Sequence, residues 1–349
     1  MANWSRHLII RWSKSDYPLF WGWLADKYQC AEKVIFFTYL ASLSCLILLL
    51  DQLDFLYISL ILFVISFFWS GVTPLLDALT IKRLNGDPKF YGRIRLWGSV
   101  GYLLAVTLAG ALLEIYDADI LVYVWIIIQI TGLLCVYLSE NHPKYSIKDP
   151  IFNSLGIFSL QFPFTRPEIM LFLGATFLMA SAHSTYGTYY SLLLHDVGYG
   201  TQTIGYLFSV AVIAEIVVLF FMPKLFNSFT LKQMLVFSFG AAIVRYLLIG
   251  YFTSSLFLLG VAQLLHSFTF GMYHASAVIH ISTLFPDRAS VKGQAIYAIA
   301  SFGLGGIFGS TVAGTLWKDY GGETVFLALS GFSTLGLLVL VLSFRHSNE

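Results

Sequence analysis

Three ionisable side chains stand inside apolar runs: Asp77 in "TPLLDALT", Glu215 in "AVIAEIVVLFF" and Arg245 in "AAIVRYLLIG". A fourth, Arg95, lies near the start of "GRIRLWGSVGY". His266, His274 and His280 share one further apolar run. A carboxylate in such a place binds a proton, a cation or hydroxyl groups. An arginine binds a carboxylate through paired N–H donors, and an imidazole passes protons near neutral pH. Each residue also has a plainer reading. Arg245 suits Glu215 as partner in a structural ion pair locking two helices. Arg95 at a helix mouth sets topology. Asp77, a turn from Lys82, snorkels toward water. His266 and His274, eight residues apart, share a helix face, whereas His280 is turned about 120° from His274. Metal-binding histidines are usually about four residues apart, so this spacing makes no metal site. Cys30, Cys45 and Cys135 are too scattered for a metal site or a disulfide framework. Neither a nucleophile–base pair nor a metal motif marks an enzyme. His183 and "STYGTYY" form a polar, aromatic stretch that stacks on a ring or simply packs.

The elements that must position these groups are membrane helices. Hydrophobic residues make up 58% of the 349 and charged ones 11%, with a mean hydropathy of +0.77. Soluble domains carry about 25% charged residues. So apolar a chain is covered by lipid, as an all-α protein whose backbone is satisfied within each helix. A net charge of +1 points to no nucleic-acid partner. Crossing needs about 20 apolar residues. That predicts ten spans, at 33–50, 55–80, 94–113, 119–138, 168–194, 202–222, 232–251, 254–284, 293–316 and 324–344. Residues 1–31 hold no full span and no signal peptide. All of the 20 lysines and arginines except Lys318 and Arg245 fall on one side of these spans. The rule that basic loops stay inside then puts both termini in the cytoplasm. The polar stretch 140–166 divides the spans into four and six.

A faint repeat relates "FYGRIRLWGSVGY" to "SVKGQAIYAIASFGLGG": each leads from a basic loop through a glycine, Gly92 or Gly293, into a glycine-rich helix. The first of these, with "GWLADKYQ" at 22–29, resembles the major facilitator superfamily, in particular its phenylpropionate-permease and lactose-permease-like proton symporters. The resemblance covers almost the whole chain. It implies a two-lobe helical bundle, here about ten helices lacking the family's helix one and most of helix two. Residues 1–31 would be a cytoplasmic amino-terminal fragment, 32–139 the amino-terminal lobe, 140–166 a cytoplasmic loop and 167–349 the carboxy-terminal lobe. The implied substrate-binding residues are Asp77, Arg95, Tyr102 and Glu215, and those for proton coupling are Glu215, Arg245 and His266. One position departs from the pattern: where lactose permeases carry their proton on a glutamate, this chain has Thr269.

The expected function is secondary active transport by alternating access of a small polar or aromatic solute, a sugar or an aromatic acid. The proton is the coupling ion and there is no cofactor or metal. The expected setting is the inner membrane, multi-pass, as a monomer in lipid. The alternative is a truncated, non-transporting membrane protein or a partner-binding remnant. Asp77 and Arg95, at similar depth on successive helices, are expected to pair.

Overall fold

A computed structural model describes residues 17–28, 30–50, 54–84, 88–113, 115–117, 119–139, 166–285 and 290–346. Helix α1 is Tyr17–Tyr28, so "GWLADKYQ" is helical through Tyr28. Helix α2, Ala31–Ile47, continues as a tighter turn to Leu50. The next apolar run divides into α3, Phe55–Trp69, and α4, Val72–Arg83. Pro74, which lacks an N–H, lies just after that break. Then come α5, Tyr91–Leu113, α6, Ile120–Ser139, and α7, Pro167–Val197. They are followed by α8, Thr201–Ser228, and α9, Leu231–Tyr251. Leu256–His266 is α10, and a π-helical turn, Ser267–Met272, joins it to α11, Tyr273–Leu284. A second π-helical turn, Ile299–Gly305, joins α12, Ser290–Ala298, to α13, Gly306–His346.

Among the described residues nine helices are long and apolar enough to cross a membrane, the last being the 56-residue run Val291–His346. At about 1.5 Å per residue that run would measure some 84 Å, against a hydrocarbon core of about 30 Å. Gly321 breaks it, with φ of +82°, a backbone conformation that favours glycine. The run therefore holds two crossings, and the ten predicted spans are all present.

Local signals set the helix ends. Helix α7 stops at Gly198, φ +103°, where the Gly198 and Tyr199 amides bond back to the His195 and Leu194 carbonyls at 3.0 and 2.9 Å. Helix α9 starts at a capping box: the Gln233 amide donates to Thr230 Oγ1 at 3.2 Å, and the Thr230 amide to Gln233 Oε1 at 2.9 Å.

The chain forms two compact units. The first comprises the described residues within Met1–Leu79, Ala105–Phe162 and Phe285–Ile296. Trp21, Val34, Ile35 and Leu75 form its core. Trp21 Nε1 donates to the Phe67 carbonyl at 2.9 Å, and Gly71 leaves room for the Trp21 side chain, whose Cβ and indole Cγ lie 2.5 and 2.6 Å from where a Gly71 Cβ would stand. Helices α2 and α6 meet where the Tyr39 ring covers Gly132 and Gln129 Nε2 donates to Ser42 Oγ at 2.7 Å. The second unit comprises the described residues within Thr80–Leu104, Pro163–Leu284 and Tyr297–Glu349. Here α7 lies directly on glycines at the end of the second π-helical turn and just after it, with the Phe177 carbonyl 2.7 Å from where a Gly305 Cβ would stand and Ser181 tighter still on Gly309. These small residues permit close helix contact.

Candidate functional site

The second unit gathers most of the ionisable residues singled out above. Helices α5 and α8 run antiparallel along a line of contacts. Gly92 faces Met222, and two turns further along both helices Ser99 faces Glu215. Gly92 is required there, since a Cβ would come within 2.6 Å of Met222. Glu215, 3% exposed, receives a hydrogen bond from Ser99 Oγ at 2.7 Å. Its other oxygen lies 3.7 Å from His266 Nε2, beyond hydrogen-bond range but close enough for strong electrostatic interaction in an apolar interior. Gly271, in the first π-helical turn, makes room for it: a Cβ there would stand 2.8 Å from Glu215 Cγ.

Arg245 is fully buried on α9, and it does not take Glu215 as its partner. Its Nε donates to the Ala262 carbonyl and its Nη1 to Thr269 Oγ1, both at 3.1 Å. The Thr269 hydroxyl in turn donates a hydrogen bond to the His266 carbonyl at 3.2 Å. The guanidinium carbon sits 3.9 Å from the Tyr186 ring centroid and 5.4 Å from that of Tyr246. A desolvated cation–π contact of this kind contributes about 2 kcal/mol. Tyr186 is held in turn by its hydroxyl, which donates to Gln263 Oε1 at 2.7 Å. Thus the two buried charges of this unit are solvated separately, the carboxylate by a hydroxyl and an imidazole, the guanidinium by neutral oxygens and aromatic faces.

Arg95 lies 5.9 Å from the Phe270 ring centroid, and its guanidinium folds over Gly98. Phe270 is the centre of an array of rings: His183 stacks on it at 4.8 Å, His266 at 5.7 Å and His274 at 6.0 Å. His266 and His274 therefore do share a face. His280 turns away and packs on Phe172 at 4.5 Å and Phe344 at 5.7 Å. Tyr102, two helical turns beyond Arg95, is 59% exposed. Asp77 belongs to the first unit, where it is 9% exposed. Ser99 was not singled out from the sequence. It stands four residues after Arg95 and three before Tyr102, and that spacing on one helix face was the available signal. Among the described residues no cluster of histidine, cysteine, aspartate or glutamate is arranged to hold a metal.

Long apolar helices that bury a carboxylate, a guanidinium and a ring array between them define the class, a polytopic α-helical membrane transporter. The chain belongs to the MFS_1 like family, whose family model matches residues 16–328, within the major facilitator superfamily. The probable 3-phenylpropionic acid transporter of Escherichia coli is 27% identical over 276 residues, covering 78% of this chain and 71% of that one. The maltose permease of Geobacillus stearothermophilus is 26% identical over 274 residues, covering 78% and 68%. Among solved structures, the Escherichia coli fucose:proton symporter FucP matches with a TM-score of 0.76 at 14% identity, over 97% of this chain and 90% of that one. This last likeness shows the fold.

Proposed function

We propose that the protein is a proton-coupled secondary transporter of a small polar or aromatic solute, a sugar or an aromatic acid. The observation that carries the reading is Glu215, a carboxylate buried in a membrane helix between a hydroxyl donor and an imidazole. A charge so placed is costly to keep and marks an ion or substrate pathway. In this reading Arg95 and Tyr102, with Asp77 and Glu215, recognise the solute, while Glu215, His266 and Arg245 couple it to the proton. An arginine supports a carboxylate-bearing substrate, and carboxylates support a polyhydroxylated one. The two relatives named above, a probable 3-phenylpropionic acid transporter and a maltose permease, span both chemistries. Thr269 favours a second reading, facilitated uniport, because it gives Arg245 a neutral partner in place of a carboxylate.

The test is uptake of labelled 3-phenylpropionate and maltose into proteoliposomes under an imposed pH gradient. Accumulation that collapses with a protonophore and in Glu215→Gln supports symport. Protonophore-insensitive equilibration supports uniport. We further propose a monomer in the inner membrane with both termini cytoplasmic. Reporter fusions after Asp196 and Arg345 are expected to read periplasm and cytoplasm respectively, and the opposite pattern overturns that orientation.

A further inference from the structure

One cluster of charges in the second unit takes no part in the site above. Helices α5 and α8 keep their antiparallel register past Gly92 and Met222 to the outer ends of both. There Lys89 Nζ donates to Asn227 Oδ1 at 3.1 Å, and Arg93 Nε to the Phe220 carbonyl at 3.5 Å. Two rings fix the Arg93 guanidinium, whose carbon lies 5.6 Å from the Phe90 centroid and 5.3 Å from that of Phe220. Lys224 Nζ lies 5.2 Å from the Phe221 centroid, and the Phe220 and Phe221 rings meet edge to face at 5.3 Å. Lys224 stands one turn from Phe220 on the same face, so it and Arg93 flank one spot. Both are exposed. Neither makes an ion pair among the described residues. Arg93 spends one of its five N–H donors, on a neutral carbonyl, and so keeps its planar fork for an anion. The rule that basic loops stay inside asks only for charge, which a mobile lysine supplies. It does not ask that cations be held on aromatic faces along a helix seam.

The depth and the surroundings of this seam say what it meets. The 28 residues of α8 measure about 42 Å against about 30 Å of hydrocarbon, so its last turns stand at the level of lipid headgroups. Toward the hydrocarbon the same faces turn apolar. On α5, Arg93, Trp97 and Leu104 recur at spacings of four and seven; on α8, Lys224, Phe220, Val217 and Ile213 recur at four, three and four. Each set therefore lies on one helix face. Every apolar member is exposed, Trp97 at 70%. Arg93 and Arg95, two residues apart, point about 160° apart round α5, so this face is distinct from the one that carries the candidate site. Cations at one end of an uncovered apolar stripe match an anionic amphiphile. We propose that the outer ends of α5 and α8 form a binding site for an anionic phospholipid. Its phosphate is held by Arg93 and Lys224, with Lys89 beside them, and its acyl chains lie along the stripes headed by Trp97 and Phe220. Basic sites between membrane helices bind anionic headgroups in this way. A zwitterionic lipid brings its own cation to the same charges, and free phosphate makes no use of the stripes. The inference is independent of what the protein transports.

The experiment needs no substrate either. Purified protein in a neutral detergent is titrated with phosphatidylglycerol or with phosphatidylcholine of the same chains, and bound lipid is counted by native mass spectrometry. Phosphatidylglycerol should bind more tightly, by about fivefold for each of Arg93 and Lys224, equivalent to about 1 kcal/mol per basic residue. Arg93→Gln or Lys224→Gln should remove one such factor, and the double variant both. These side chains are exposed, so folded yield should stay near wild type. Lys318→Gln with Arg345→Gln removes the same charge from α13 and should leave the preference intact. A further reading uses no variant. Raising salt from about 0.1 M to 1 M shortens the screening length from about 10 to 3 Å, and should weaken the wild-type preference. Equal binding of the two lipids, a preference that survives in the double variant, or one lost equally in the α13 variant overturns the site. Displacement of phosphatidylglycerol by inorganic phosphate would make the seam a site for a free anion and overturns the lipid assignment.

Discussion

The spans before residue 140 and those after residue 166 differ in what they bury. Of the most apolar 18-residue window in each of the first four spans, 28%, 17%, 6% and 6% is buried. For the later five the shares are 67%, 33%, 56%, 50% and 39%. The content differs as well. Helices α2 and α6 meet through a neutral amide–hydroxyl contact, Gln129 to Ser42. The earlier spans bury a single charged side chain among their described residues, Asp77, whereas the later helices enclose Glu215, Arg245, His266 and His274, with Ser99 of α5 donating to Glu215. Lipid is as apolar as leucine, so helices in a bilayer gain little by hiding hydrophobic surface and associate through small residues and polar contacts. A neutral pair is enough for that purpose. Buried charges are more than adhesion requires, and their retention points to work done on an ion or a solute.

The sharpest way to break this contrast is to neutralise one charge. Glu215→Gln keeps the shape and the Ser99 contact but cannot take up a proton. Gradient-driven accumulation should fall roughly 10²-fold or more, the usual scale for loss of a positioned proton-transfer group, while the folded yield stays near wild type. Accumulation within twofold of wild type would make Glu215 structural and erase the distinction.

Arg245→Leu comes next. It removes two charge-assisted hydrogen bonds and the Tyr186 contact, for a loss of about 3 kcal/mol. The expected outcome is a clearly lower thermal midpoint in detergent, with Arg245→Lys recovering only part of it because an ammonium cannot reproduce the planar stacking. An unchanged midpoint would mean that the guanidinium is held for transport alone.

These expectations rest unequally on the sequence. The ten spans were legible because lipid demands long apolar runs, and Gly321 breaks the last such run between the ninth and tenth of them. The shared face of His266 and His274 followed from helical periodicity. The partner of Arg245 did not, because residue spacing does not say which side chain of a neighbouring helix will face it, and only packing puts Thr269 there. Nor were the π-helical turns at Ser267–Met272 and Ile299–Gly305 legible, since they depend on which carbonyl each amide selects.

Two glycines set the packing tolerance of the regions against each other. At Gly132 an added methyl meets the Tyr39 ring, and at Gly271 it meets Glu215 Cγ. Overpacking of this kind costs about 1–3 kcal/mol. Gly132→Ala should lower stability and spare transport, with Tyr39→Leu restoring much of the loss. Gly271→Ala should lower both, because the displaced atom belongs to the site. Equal effects on transport from the two variants would sink the assignment of Glu215 to a site.

The smallest expected effect tests the neutral side of the contrast. Ser42→Ala leaves the Gln129 amide without its acceptor and should cost about 0.6 kcal/mol, the average for a side-chain hydrogen bond within a membrane. The double variant Ser42→Ala with Gln129→Leu removes both partners, and apolar replacement of a whole pair is close to neutral. The double variant should therefore melt at or above the single one and transport as wild type does. The matching replacement on the other side, Glu215→Leu with His266→Phe, should also fold, since it too removes a buried polar pair together, yet it should abolish gradient-driven uptake. If both double variants transport, the buried charges are no more than helix adhesion. If neither folds, the Gln129–Ser42 contact specifies the packing of α2 on α6 as strictly as charge does in the later helices.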